Sequence, residues 1–129
     1  MKTNRARLLM VLWCAGIFLI GILIGNMQGG EIEECQRIAP KYNAKLEVLL
    51  WDKTRVDLLN DEYAIEVDWA YKWAEGIGQA LYYAQVTGKK PGVILLIKDM
   101  QKEMKYVYRL QTVAAKYNIK VWLEKVEEE

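Results

Sequence analysis

The first apolar block of the chain stands apart from everything that follows it. Residues 8–24 read LLMVLWCAGIFLIGILI without a charge, and at about 1.5 Å of rise per residue such a helix spans a bilayer core. After a short linker the pattern changes. Residues 31–39 have a helical pattern that Pro40 ends. Residues 45–51 begin with strand alternation, and 55–59 and 63–69 each make a short strand. Asp52-Lys53-Thr54 and Asn60-Asp61 supply the tight turns of an antiparallel meander. Over residues 72–87 the period becomes helical: Trp73, Ile77, Ala80, Leu81 and Ala84 form one stripe, and Gly88 stops it. Residues 92–97, GVILLI, suit a strand covered on both faces. Asp99 opens a second long helix with the stripe Met100, Met104, Val107, Leu110, Ala114 and Tyr117, and Val121-Trp122-Leu123 makes the last strand. The expected order is αβββαβαβ, an α/β fold with a mixed sheet flanked by helices.

This divides the chain into an N-terminal membrane anchor at 1–25, a linker at 26–30 and one domain at 31–129. Lys2, Arg5 and Arg7 precede the apolar block and Glu31, Glu33 and Glu34 follow it. The positive-inside rule then places the N-terminus in the cytoplasm and the body outside. A signal sequence is the rival reading, although no A-x-A cleavage site follows the block. Translation from Met27 would instead give a cytoplasmic protein. Cys14 lies inside the block and Cys35 beyond it, so the two do not read as a disulfide framework; each reads as a small buried apolar residue.

Composition narrows the chemistry. The chain has no histidine, which excludes Ser-His-Asp and Cys-His catalysis, His-ligated zinc and any His general base. Without its three N-terminal basic residues the body is slightly acidic, which argues against a generally basic nucleic-acid binder but allows a local basic groove. What remains is carboxylate chemistry. Glu66 and Asp68 alternate with Ile65, Val67 and Trp69, so they share one face of a strand. Asp57, between Val56 and Leu58 on the preceding strand, joins them if the register suits. Burial of such a group calls for a cation, and Mg²⁺ accepts one or two carboxylates together with phosphate oxygens. The bland alternative is an ordinary meander with its acids in solvent. Lys72 starts the next helix and can reach back toward Glu66. Trp51, Trp69, Trp73 and Trp122 are expected as core or sheet-edge aromatics rather than base-stacking platforms, Tyr83 as a packed aromatic rather than a contact to a nucleic-acid backbone, and Lys89-Lys90 as a solvated turn rather than a phosphate contact.

The runs Thr54-Arg55-Val56-Asp57-Leu58-Leu59, Ala64-Ile65-Glu66-Val67-Asp68-Trp69-Ala70 and Lys72-Trp73-Ala74-Glu75-Gly76-Ile77-Gly78-Gln79-Ala80-Leu81-Tyr82-Tyr83-Ala84 resemble the PD-(D/E)XK nuclease superfamily. The likeness is to its small phage and bacterial members, related to Holliday junction resolvases and restriction endonucleases. It continues through Thr87-Gly88-Lys89-Lys90-Pro91-Gly92 and covers about residues 31–123. The resemblance implies a restriction-endonuclease-like αβββαβ core. It also implies that Asp57 and Glu66 hold a divalent ion with the backbone carbonyl of Val67, that one of Glu31, Glu33 or Glu34 adds a carboxylate, and that Gln79 supports the site. The lysine usual two residues after the glutamate is Asp68 here. Lys72 is the candidate replacement, and Asp68 a candidate ligand for a second ion.

The expected function is divalent-metal-dependent hydrolysis of phosphodiesters in DNA, with Mg²⁺ or Mn²⁺ as cofactor and Asp57, Glu66, Lys72 and Gln79 in catalysis. DNA is the expected partner, the membrane is engaged through residues 8–24, and Tyr106 and Tyr108 are candidates for homodimer contacts. Two alternatives stand beside this reading: a catalytically weak or inactive nuclease-fold binding module, and a membrane-tethered phage or prophage envelope protein.

Overall fold

The computed structural model describes residues 30–126. The predicted membrane segment, the topology it implies and the three C-terminal glutamates lie outside them. Among the described residues no helix is long and apolar enough to cross a membrane. The chain divides into two compact units at Ile32/Glu33, and the second holds the whole sheet.

The elements follow the predicted order. Helical residues 30–38 form α1. The chain does not stop at Pro40 but tightens into a 3₁₀ turn, Ala39–Tyr42, ended by Asn43 in the left-handed conformation. Pro40 fits there because an opening turn needs no amide donor from it. Strands β1 (Lys45–Leu49), β2 (Arg55–Leu59) and β3 (Tyr63–Trp69) make the meander, and a 3₁₀ turn, Ala70–Lys72, leads into α2 (Trp73–Thr87). Gly88, at φ 68°, ends α2 where a side chain would be strained. Then come β4 (Lys90–Ile97), α3 (Met100–Tyr117) and β5 (Lys120–Lys125). Asp99 caps α3 by accepting from the amides of Gln101 and Lys102, while Glu103 accepts from the amides of Lys98 and Asp99.

The strands form one mixed five-stranded sheet in the order β1-β2-β3-β4-β5. β1–β2 and β2–β3 are antiparallel; β3–β4 and β4–β5 are parallel. Each face of β4 has its own core. Val93, Leu95 and Ile97 pack with Ala80 of α2 and with Val107, Leu110 and Ala114 of α3. Ile94 and Leu96 pack on the other face with Leu58, Ile65, Val67 and, from α1, Cys35 and Ile38. This double cover is what the unbroken run at 92–97 predicts.

Some side chains depart from expectation. Met100, Met104 and Tyr117 are exposed, so the buried stripe of α3 is narrower than the hydrophobic pattern implies. Trp69, Trp73 and Trp122 are packed against the cores, but Trp51 is 84% exposed on the β1–β2 turn. Lys90 opens β4 rather than lying in a solvated turn, with its ammonium 2.8 Å from Glu62. Lys89 donates to the carbonyl of Asp61.

Candidate functional site

The site is built where β2 and β3 part. Their ladder pairs Leu59 with Ala64 and Leu58 with Ile65 and goes no further. The next pair would set Asp57 opposite Glu66. Instead, Asp57 Oδ2 accepts a 2.9 Å hydrogen bond from the Val67 amide. A side chain thus takes the place of a ladder carbonyl, and the strands diverge around it. Within an extended strand the N–H and C=O of one residue project to the same edge. The Val67 carbonyl therefore lies on the Asp57 edge of β3, the edge that the predicted ligand role requires.

Side-chain alternation in β2 also breaks at this point. Leu58 packs in the α1 layer with its partner Ile65. Val56, two residues earlier, packs with Ala64 and Tyr83 under α2, where strict alternation would send it to the α1 layer. Opposite Asp57 on β1 stands Glu47, whose φ of 53° is left-handed, a conformation that disfavours residues with a Cβ by about 1–2 kcal/mol. Arg55 holds the Glu47 carboxylate at 3.0 Å.

On β3, Glu66 and Asp68 lie beside Val93 and Leu95 in the parallel register, and both of those residues face α2 and α3. The acids share that face. Glu66 is 3% exposed and Asp68 is 6% exposed, so the solvent-facing alternative is excluded. Gly76 of α2 makes room for Asp68: a Cβ there would come within 2.8 Å of Asp68 Oδ2. Glu66 Oε1 is buried without a hydrogen-bond partner. Burial, then the charges of Asp57 and Asp68, push the Glu66 carboxyl up to about 10. Tyr83 stands over the same place; burial, then the charges of Glu66 and Asp57, hold its phenol above the usual range.

The remaining predicted residues are distributed unevenly. Lys72 ends the 3₁₀ turn after β3, half-buried and one turn past Asp68. Gln79 is exposed on α2, one turn before Tyr83. Glu33 is exposed, and Glu34 is held by Arg37 at 2.7 Å. Glu31 lies within the helical residues 30–38 and belongs to the first unit. Three features had no plain sequence signal: the Asp57–Val67 bond, the notch at Gly76 and the exposure of Trp51.

Asp57, Glu66 and the Val67 carbonyl are the donor types that suit a hard divalent ion completed by water or phosphate. Among the described residues no three His, Cys, Asp or Glu side chains are grouped to hold a metal ion, so backbone and solvent would have to supply part of any coordination shell. A cleft of about 460 Å³ lined by Asn43, Lys45, Asn60, Asp61 and Lys89 contains none of the predicted catalytic or metal-binding residues. No family model matches the chain, and neither the curated proteins nor the solved structures provide a match.

Proposed function

We propose that this chain hydrolyses phosphodiester bonds in DNA with the help of a divalent metal ion, as its resemblance to the PD-(D/E)XK nucleases implies. The observation that carries the reading is geometric: Asp57 leaves the β ladder to bond the Val67 amide, beside the buried acids Glu66 and Asp68. A sheet has little structural reason to bury two acids in an apolar layer with a third, half-buried, on the neighbouring strand, and a cation would offset their repulsion. The α1-β1-β2-β3-α2-β4 order supports the same reading.

Asp57, Glu66 and the Val67 carbonyl would hold Mg²⁺ or Mn²⁺. The chemistry supplied by a bound ion of this kind is polarisation of a phosphate oxygen and acidification of a water. Lys72 would stabilise charge developing on the phosphate, in place of the lysine that Asp68 displaces. Asp68 would accept from water or support a second ion. Gln79, exposed on α2 one turn before Tyr83, would contact substrate rather than the buried acids.

Incubation of the full chain with Mg²⁺ or Mn²⁺ and single-stranded, duplex and branched DNA tests this. Cleavage should fall at least about 100-fold in Asp57→Ala and Glu66→Gln, the scale of losing a principal electrostatic contribution. Wild type that neither cuts any of these substrates nor gains thermal stability from either ion would end the proposal. The presence of Asp68 at the usual lysine position favours one second reading, a nuclease-like binding module without turnover. DNA binding that survives both substitutions, with no cleavage by wild type, would select it.

A further inference from the structure

We infer that the β1–β2 turn is a stacking platform on which Trp51 receives an unpaired nucleobase, so that the preferred substrate is DNA with a single-stranded segment. This rests on the phosphodiesterase reading and deepens it.

At 84% exposure, Trp51 is the most exposed large apolar residue among the described ones. Its turn is tightly fastened. The Leu50 amide donates to the Thr54 carbonyl at 2.8 Å, and the Lys53 amide to the Leu50 carbonyl at 3.0 Å. Asp52 Oδ1 accepts from the Thr54 amide and hydroxyl at 3.0 and 2.6 Å. Asp52 Oδ2 accepts from the Tyr82 hydroxyl, which ties the turn to α2. These bonds fix the backbone from which the indole projects into water, so its point of attachment is set before a planar ligand arrives.

The turn is also joined to the site. Leu50, next to Trp51, packs against the cluster of Val56, Ala64 and Tyr83. Val56 precedes Asp57, and Tyr83 lies close enough to Glu66 and Asp57 to feel their charge. Tyr82, which holds the turn, is half-exposed, so two aromatic side chains border this approach.

Charge selects the occupant. Lys53 is exposed at the tip of the turn; Arg55 follows at its end, 59% exposed and paired with Glu47, and the Asp52 carboxylate is occupied by Thr54 and Tyr82. An exposed cation such as Lys53 beside an aromatic platform suits a phosphate backbone whose bases turn toward the indole. Within a duplex the base faces are stacked on one another, so away from its ends only unpaired bases can use such a platform.

The test measures affinity by fluorescence anisotropy, with Ca²⁺ in place of Mg²⁺, for labelled single-stranded, flapped and blunt-duplex DNA. Wild type should bind the first two at least about 10-fold more tightly than blunt duplex, within the range for base–aromatic stacking. Trp51→Ala should bring the ratio to near unity without weakening duplex binding, and Trp51→Phe should keep most of the preference. Because Trp51 is exposed, its variants should melt with wild type, so a lost preference is not a lost fold. An unchanged ratio in Trp51→Ala, equal affinities in wild type, or no DNA binding would overturn the inference. Cleavage that still depends on Asp57 and Glu66 while the ratio ignores Trp51 sinks the platform alone. A ratio that depends on Trp51 with no cleavage under any metal sinks hydrolysis alone.

Discussion

At the scale of single residues, Glu66 holds the sharpest conflict in the molecule. Its carboxyl is buried under α2 within reach of the charges of Asp57 and Asp68, and these surroundings favour the proton. The unfolded chain would release that proton near 4.5, whereas the folded, metal-free protein keeps it up to about 10. Between these values the folded state binds more protons, so the stability from this group is full below the lower value and is lost as pH rises toward the higher. Thermal melts in chelator should therefore show wild type losing stability from about pH 6 to pH 9, with Glu66→Gln overtaking it by about 4 °C or more, equivalent to about 1 kcal/mol. Wild-type and variant curves that run parallel across that range would show that Glu66 is not strained. The acids were legible from sequence because strand alternation alone puts Glu66 and Asp68 on one face. Their burial was not legible: a meander with acids in solvent has the same spacing, and only the cover of α2 decides between them.

At the scale of elements, the site depends on how α2 lies against β3. Gly76 and Gly78 sit in the same helix, where replacing glycine by alanine ordinarily gains about 0.5–1 kcal/mol. At Gly78 a Cβ meets nothing within 4 Å, so Gly78→Ala should show that gain. At Gly76 it meets Asp68 Oδ2 at 2.8 Å and Val93 Cγ1 at 3.3 Å. Gly76→Ala should lose the gain and displace the Asp68 carboxylate, weakening any metal-induced rise in Tm. Equal stabilisation by both variants, with the same response to metal, would mean that α2 has slack over the site. The boundaries of β2 and β3 were readable because compact turns bracket them. The left-handed Glu47 and the switch of face at Asp57 were not readable. They arise from β2 accommodating different neighbours on its two sides, which no local pattern encodes. The exposure of Trp51 was hidden for the same reason, since hydrophobicity alone assigns an indole to the interior.

At the scale of the whole molecule, the strand β5 is fastened to the 3₁₀ turn Ala39–Tyr42 through a buried charge. Glu124 of β5 is 6% exposed and accepts from Lys41 and from the Tyr42 hydroxyl, each at 2.5 Å. Tyr42 meets Trp122 edge-on at 5.4 Å, and Trp122 meets Tyr63 in the same way at 5.1 Å. Burial alone would raise the Glu124 carboxyl, but the bonds from Lys41 and Tyr42 outweigh it and hold the group below its usual value. With the folded value depressed, the stability from this group is present above about 4.5, the ordinary value, and is lost as pH falls through the folded value. Glu124→Gln should therefore lower Tm at neutral pH, by the equivalent of about 1–2 kcal/mol for a charge-assisted bond, and flatten the acid limb of the Tm–pH curve. Lys41→Met makes the stronger test because it removes the largest stabilising partner and leaves the acid in place. Burial is then opposed only by the Tyr42 hydroxyl and the Arg37 charge, so the Glu124 carboxyl moves up from its depressed position and its contribution to the acid limb shrinks. This variant should be weakened most at neutral pH and recover toward wild type as Glu124 takes up a proton in acid. A constant deficit from pH 4 to pH 7 would show that Lys41 contributes packing alone, and that β5 is held by its aromatic contacts rather than by the ion pair.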